Sequence, residues 1–274
     1  MKNLKKLLTL MFVVIFSTVL FAGCGSSSNA GQSQSKGENS LEKIKKEGVI
    51  KIGLEDSFPP MEFRDSKNEL KGFDIDLANE IGKKLGVKTE FVPTDFNGII
   101  LALKTGKFDA VISGLSITDE RKKEIAFSDP YLMDSQIIIV KNGNTAIKKS
   151  EDLKGKTVGV GLGTTSENVA AKLQGLKEVK KYDKTTEELQ DLLIGRIDAV
   201  IVDEPVGRYY LSDKDKQGKY TVLDDKLTKE PMGIGFKKED KELQSAVQKA
   251  VDDLKKEGEL SKLSVKWFGT DIYK

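Results

Sequence analysis

The chain has no histidine. That excludes a Ser–His–Asp triad, a Cys–His pair, a histidine general base and a histidine-held metal. It has one cysteine, Cys24, so no disulfide can form within the chain and the fold must rest on core burial. Neither sign of charge dominates. The net charge is +2, and residues 1–23 hold three lysines and no acid, so the remainder carries one net negative charge. That is not the footprint of a nucleic-acid-binding protein. After residue 21 no second long apolar run appears, so no segment is available to carry a signal inward through a membrane.

What is present begins with Lys2, Lys5 and Lys6, then an almost unbroken apolar run over residues 7–21, then Ala22-Gly23-Cys24. This order reads as a secretory signal peptide over 1–23, too short for a confident membrane span. A lone cysteine at that point resembles a lipoprotein attachment site, with a palmitate-type anchor on Cys24. The departure from the usual lipoprotein pattern is Phe21, where leucine is common. Residues 24–40 are mostly Gly, Ser, Gln and Asn and read as a lipidated flexible tether. About 230 residues follow, enough for two modest cores.

Those residues alternate between strand and helix patterns. Residues 49–52 read as a strand and 53–60 as a loop. Ile75, Leu77, Ala78, Ile81 and Leu85 recur at helical spacing before a stop at Gly86. A strand is expected over 89–92, a helix over 99–103 ending at Gly106, and a strand over 108–113. The pattern then repeats. Residues 103–112, LKTGKFDAVI, match 192–201, LLIGRIDAVI, and 50–54, IKIGL, match 158–162, VGVGL. Two such sets predict two α/β lobes with parallel-rich sheets and helices on both faces.

Ligands of open α/β sheets sit beyond the carboxyl ends of the strands. Those positions hold Glu55, Phe58, Phe96, Gly114, Ser116, Arg121, Gly161, Gly163, Thr164, Thr165 and Asp203. One cation, two anions, two aromatics and several hydroxyl or glycine N–H groups suit a zwitterion with a polar side chain. Arg121 stands in a helix start, Thr118-Asp119-Glu120-Arg121, and its planar fork suits a carboxylate.

The stretch over 112–131, ISGLSITDERKKEIAFSDPY, resembles the polar amino-acid-binding proteins of ABC importers, the family 3 extracellular solute-binding proteins. FPPMEF over 58–63, GFDIDL over 72–77, VGVGLGTT over 158–165 and KWFG over 266–269 extend the resemblance across nearly everything after residue 41. It implies a two-lobed type II periplasmic-binding-protein fold, with hinge crossings near 131–136 and 227–232. Residues 41–134 and 232–274 would form the first lobe and 135–231 the second. It also implies a monomer without cofactor or metal, held by lipid on the extracytoplasmic face of the membrane, that passes an L-amino acid to permease subunits.

By the same resemblance, Arg121 would clamp the ligand's α-carboxylate with Ser116 and Thr165. Asp203, Gly114 and Ser116 would take its α-ammonium, and Phe58 and Phe96 would sandwich its side chain. Glu55 would meet the far end of that side chain, and Gly161 would leave room for a long one. An acid at Glu55 suits arginine or lysine first, then glutamine or cystine. A dehydratase on the same scaffold, with Glu55 or Glu204 as proton donor, is the alternative. The Arg121–Asp203 pair and the tether favour transport.

Overall fold

Strings of β-branched residues broken by glycine at 49–54 and 157–161 form the two strands around which the fold is built. The structure is a computed structural model that describes residues 39–212 and 218–274. The expected signal peptide, Cys24 and nearly all of the tether lie outside the described residues. Asn39 caps the helix Ser40–Glu47, its side chain accepting from the Glu42 N–H at 2.9 Å.

The first sheet runs in the order Lys88–Pro93, Val49–Leu54, Ala110–Val111, Gly235–Phe236, Ala126–Phe127. Its first three strands are parallel, and Gly235–Phe236 is antiparallel to both neighbours. The second sheet runs Glu178–Tyr182, Thr157–Gly161, Ala199–Asp203, Gln136–Lys141, Tyr220–Lys226. Again three strands are parallel and the last two are antiparallel additions. Between the two sheets Leu132–Asp134 pairs with Glu230–Met232, inside both expected crossings.

The repeat seen in the sequence is a repeat of contacts. Ile52 pairs with Ala110, and Val158 with Ala199. Asp109 accepts from the Lys51 N–H at 2.8 Å, and Asp198 from the Thr157 N–H at 2.8 Å. Gly53 lies under the Phe108 ring, and Gly159 under Ile197. A Cβ at either glycine would meet those side chains at 2.3 and 2.6 Å. In both halves the glycine makes space for the large residue that precedes D-A-V-I.

Helices cover both faces of each sheet, which is why their strands are apolar without a clean alternation. Residues 137–140, four β-branched residues in a row, are all fully buried. Ile137 and Ile139 face one cluster with Leu189 and Val202, and Ile138 and Val140 another with Val158 and Ile201. In the first lobe Ile50 and Ile52 pack with Leu77 and Ile81 of the helix Phe73–Leu85. The C-terminal helices Lys241–Lys256 and Glu259–Phe268 add Leu243, Val247 and Leu260 to that cluster. On the opposite face, Ile99 and Leu103 pack with Phe108 and Leu115.

The sequence did not predict the small sheet of Ser57–Phe58, Glu62–Arg64 and Leu70–Lys71. Strands of two or three residues are too short to show a period.

Candidate functional site

The carboxyl ends of both parallel trios meet at one cavity. Of the eleven residues expected there, nine line it: Glu55, Phe58, Phe96, Gly114, Ser116 and Arg121 from the first lobe, and Thr164, Thr165 and Asp203 from the second. The cavity is narrow, about 10 Å³, which is room for roughly one water. The lobes are in direct contact across it. Arg121 Nη2 donates to the Gly163 carbonyl at 3.2 Å, and the Ser116 and Thr165 hydroxyls are 3.5 Å apart.

Arg121 belongs to the helix Asp119–Glu124, which Thr118 caps by accepting from the Arg121 N–H at 3.1 Å. Its side chain is buried, with Nη1 donating to the Ser116 carbonyl at 2.8 Å. The guanidinium carbon lies 5.3 Å from the centre of the Phe96 ring, a cation–π contact. Phe96 therefore backs the cation as well as lining the cavity. Burial pushes the Arg121 pKa down; the Asp203 and Glu230 carboxylates oppose that. Guanidinium stays charged in proteins, so the cavity keeps a fixed positive pole. The helix Thr165–Lys172 starts at the same pole, and its first N–H groups favour an anion there.

The opposite pole is acidic. Asp203 ends its strand and is buried, with Oδ1 accepting from Gln136 Nε2 at 3.0 Å. The same nitrogen donates to Thr165 Oγ1 at 3.1 Å. Burial pushes the Asp203 carboxyl up, and Glu230 adds to the push. The buried hinge residue Asp134 is also raised well above the ordinary carboxyl range, by burial first and then by Asp203. Asp134 is paired in register with Glu230 across the hinge. Asp134 and Asp203 are within hydrogen-bonding reach of each other, and two buried carboxyl groups in contact resist both being charged.

Glu55 occupies a third corner. Its N–H donates to Ser113 Oγ at 3.0 Å, and its carboxylate accepts from the Ser57 hydroxyl. Burial raises its pKa, and the Ser57 hydrogen bond opposes the rise. Phe58 crosses between the lobes and packs on the main clusters of both.

Two of the expected glycines are not in its lining: Gly163, whose carbonyl holds Arg121, and Gly161. A Cβ there would meet Thr164 Cγ2 at 2.8 Å and Glu188 Oε1 at 3.6 Å. Its missing side chain makes way for Thr164, whose hydroxyl donates to the Gly161 carbonyl at 2.7 Å. Glu204 is spoken for: Arg208, Lys226 and Ser135 bind its carboxylate at 2.6–2.8 Å. A carboxylate so paired is no proton donor.

The model of the bacterial extracellular solute-binding proteins, family 3, matches residues 50–270. The chain belongs to this family. As a family 3 solute-binding protein it is a binding component of amino-acid transport rather than an enzyme. The L-cystine-binding protein TcyJ of Escherichia coli strain K12 is 37% identical over 239 residues, 86% of this chain and 89% of that protein. The arginine-binding extracellular protein ArtP of Bacillus subtilis strain 168 is 34% identical over 262 residues, 94% of this chain and 96% of that one. A solved ancestral arginine-binding protein bound to arginine aligns with a TM-score of 0.77 at 47% identity, covering 81% of this chain and 99% of that chain. Such neighbours are type II periplasmic binding proteins, and this chain shares their two-lobed fold.

The family 3 motifs did not point to Gln136, Asp134, Glu230 or Glu188. All four are buried at or near the cavity, and all but Gln136 are acids. For Asp134, Gln136 and Glu230 the cue was an acid or amide inside a short strand, which is hard to weigh without its partner; Glu188 lies on the helix Thr185–Leu193 among other acids.

Proposed function

We propose that the protein captures a polar or basic L-amino acid between its lobes, arginine- or lysine-type first and glutamine or cystine next, and delivers it to an ABC permease. One observation carries this reading. A single cavity holds a buried guanidinium beside a helix N-terminus, a buried acid at Asp203, and a second acid at Glu55. The first two suit an α-carboxylate and an α-ammonium, and the third suits a cationic side-chain end. The relatives named for cystine and arginine agree with a ligand carrying extra positive or amide groups.

A cavity of about 10 Å³ admits such a ligand only if the lobes part and close again. Saturating ligand is expected to compact the protein in small-angle scattering. It should also raise its stability by about 2.7 kcal/mol at a hundredfold excess over Kd. A thermal-shift screen of all common amino acids plus cystine tests the reading; a flat screen would end it. Glu55→Gln is expected to weaken arginine and lysine most and leave glutamine nearly unchanged, because it removes charge and keeps shape. Calorimetry showing equal losses for all these ligands would make Glu55 scaffold.

The same reading takes residues 41–134 with 232–274 as one lobe and 135–231 as the other, and places a monomer on the outer face of the membrane. The proposed anchor is lipid on Cys24; no helix among the described residues is long and apolar enough to cross a membrane. Cys24→Ala should move the protein to the soluble fraction with its ligand affinity intact. A variant still found with membranes would remove the anchor from the proposal.

A further inference from the structure

The motifs FPPMEF and GFDIDL give the cavity only Phe58, yet each also sets a carboxyl group in the core beside it. Glu62 and Asp74 are both fully buried. The Ser113 hydroxyl donates to Glu62 Oε1 at 2.7 Å. Asp74 Oδ2 accepts from the Gly114 N–H at 2.7 Å and from the Tyr131 hydroxyl at 2.9 Å. The other two oxygens, Glu62 Oε2 and Asp74 Oδ1, have no other donor. The two carboxyl groups are within hydrogen-bonding reach of each other. Two charged carboxyl groups within reach of each other in a dry core repel, whereas one hydrogen between them makes a donor–acceptor bond.

We propose that Glu62 and Asp74 share one proton and, through it, act as positioning residues for the ligand-contacting segment 113–116. This rests on the amino-acid-binding reading above. The links are short. Asp74 holds the Gly114 N–H, and Gly114 lines the cavity at φ +50. Glu62 holds Ser113, whose oxygen accepts from the Glu55 N–H at 3.0 Å. One pair therefore fixes two walls of the cavity. A hydrogen bond from Tyr131 ties it to the start of the hinge, and Tyr273 in turn donates to the Tyr131 carbonyl at 2.6 Å.

The titratable groups facing the pair are Glu55, Tyr131 and Tyr273. Burial pushes Asp74 up to about 6 and Glu62 well above the usual carboxyl range. Both folded values exceed the unfolded ones. The pair's stabilising contribution is therefore full in acid and is lost as pH rises through the folded values. Ligand affinity is expected to fall on the alkaline side, where both groups are charged.

Paired substitutions test this. In Glu62→Gln the amide donates to Asp74 and its oxygen still accepts from Ser113. In Asp74→Asn the oxygen still accepts from Gly114 and Tyr131, and the amide donates to an ionised Glu62. Each single variant should bind arginine within about threefold of the unaltered protein, without the alkaline fall. The double variant sets two NH2 groups face to face and should lose about tenfold or more. If it does not fold, the pH profiles of the singles decide alone. The Gly114 amide resonance, followed against pH without ligand, should shift in the unaltered protein and stay still in Glu62→Gln. If the unaltered protein binds no amino acid, the binding reading fails, and this resonance still tests the pair. A double variant that binds like the singles, or a Glu62→Gln protein that keeps the native pH profile, overturns the shared proton.

Discussion

Arg121→Ala should weaken every amino-acid ligand alike, by about 2–5 kcal/mol, since it strips one partner from a desolvated charge pair. The α-carboxylate is common to all amino acids, so the loss should not depend on the side chain. The residue is buried, and two of its N–H groups are already held by the carbonyls of Ser116 and Gly163. The Ser116 bond lies within one lobe and orients the fork before a ligand arrives, which limits the ordering cost of binding. Arg121→Lys should fare little better, because a point charge cannot make two parallel bonds while stacked on Phe96. Calorimetry with arginine, lysine, glutamine and cystine is the measurement. Normal binding by Arg121→Ala would remove the carboxylate clamp from the site.

Gly72→Ala should be among the most destabilising single substitutions outside the cavity, costing about 4 kcal/mol or more. Gly72 sits at φ +142, ψ +171, a region essentially reserved for glycine. A Cβ there would lie 2.0 Å from the Met61 carbonyl oxygen, a backbone atom that cannot swing aside. The strain cannot relax locally, because the neighbouring N–H groups of Phe73 and Asp74 donate to Pro60 and Met61 at 2.9 Å. Gly86 is the control. It also has positive φ, at +75, but a Cβ there meets nothing within 4 Å. Gly86→Ala should cost only about 1–2 kcal/mol. Urea unfolding of both variants separates the cases, and equal costs would mean that the Met61 clash is absorbed.

Arg121, Asp203 and Glu55 were legible because they follow strands, and a strand's end can be placed from its apolar run alone. The two-lobed fold was legible because the sequence repeats D-A-V-I with its preceding large residue. The space left by Gly161 could not be placed from sequence for a directional reason. Sequence fixes that a glycine is present but not where its absent Cβ would point, and here it points at Thr164. Asp134 and Glu230 stayed hidden because their meeting depends on a hinge pairing between distant segments. Glu62 and Asp74 stood within recognised motifs, yet nothing in one dimension says that their carboxyl groups come within reach of each other.

The strand order of the first sheet bears on how the chain can be assembled. Gly235–Phe236 lies between Ala110–Val111 and Ala126–Phe127, so the latter joins the sheet only through a segment that leaves the ribosome after the whole second sheet. The strands of the second sheet, from Gln136–Lys141 to Tyr220–Lys226, are contiguous in the chain and need nothing made later. Early in synthesis the first lobe is a three-stranded fragment with an open edge, the kind of intermediate that risks pairing with another chain. The lobe that begins first is completed last.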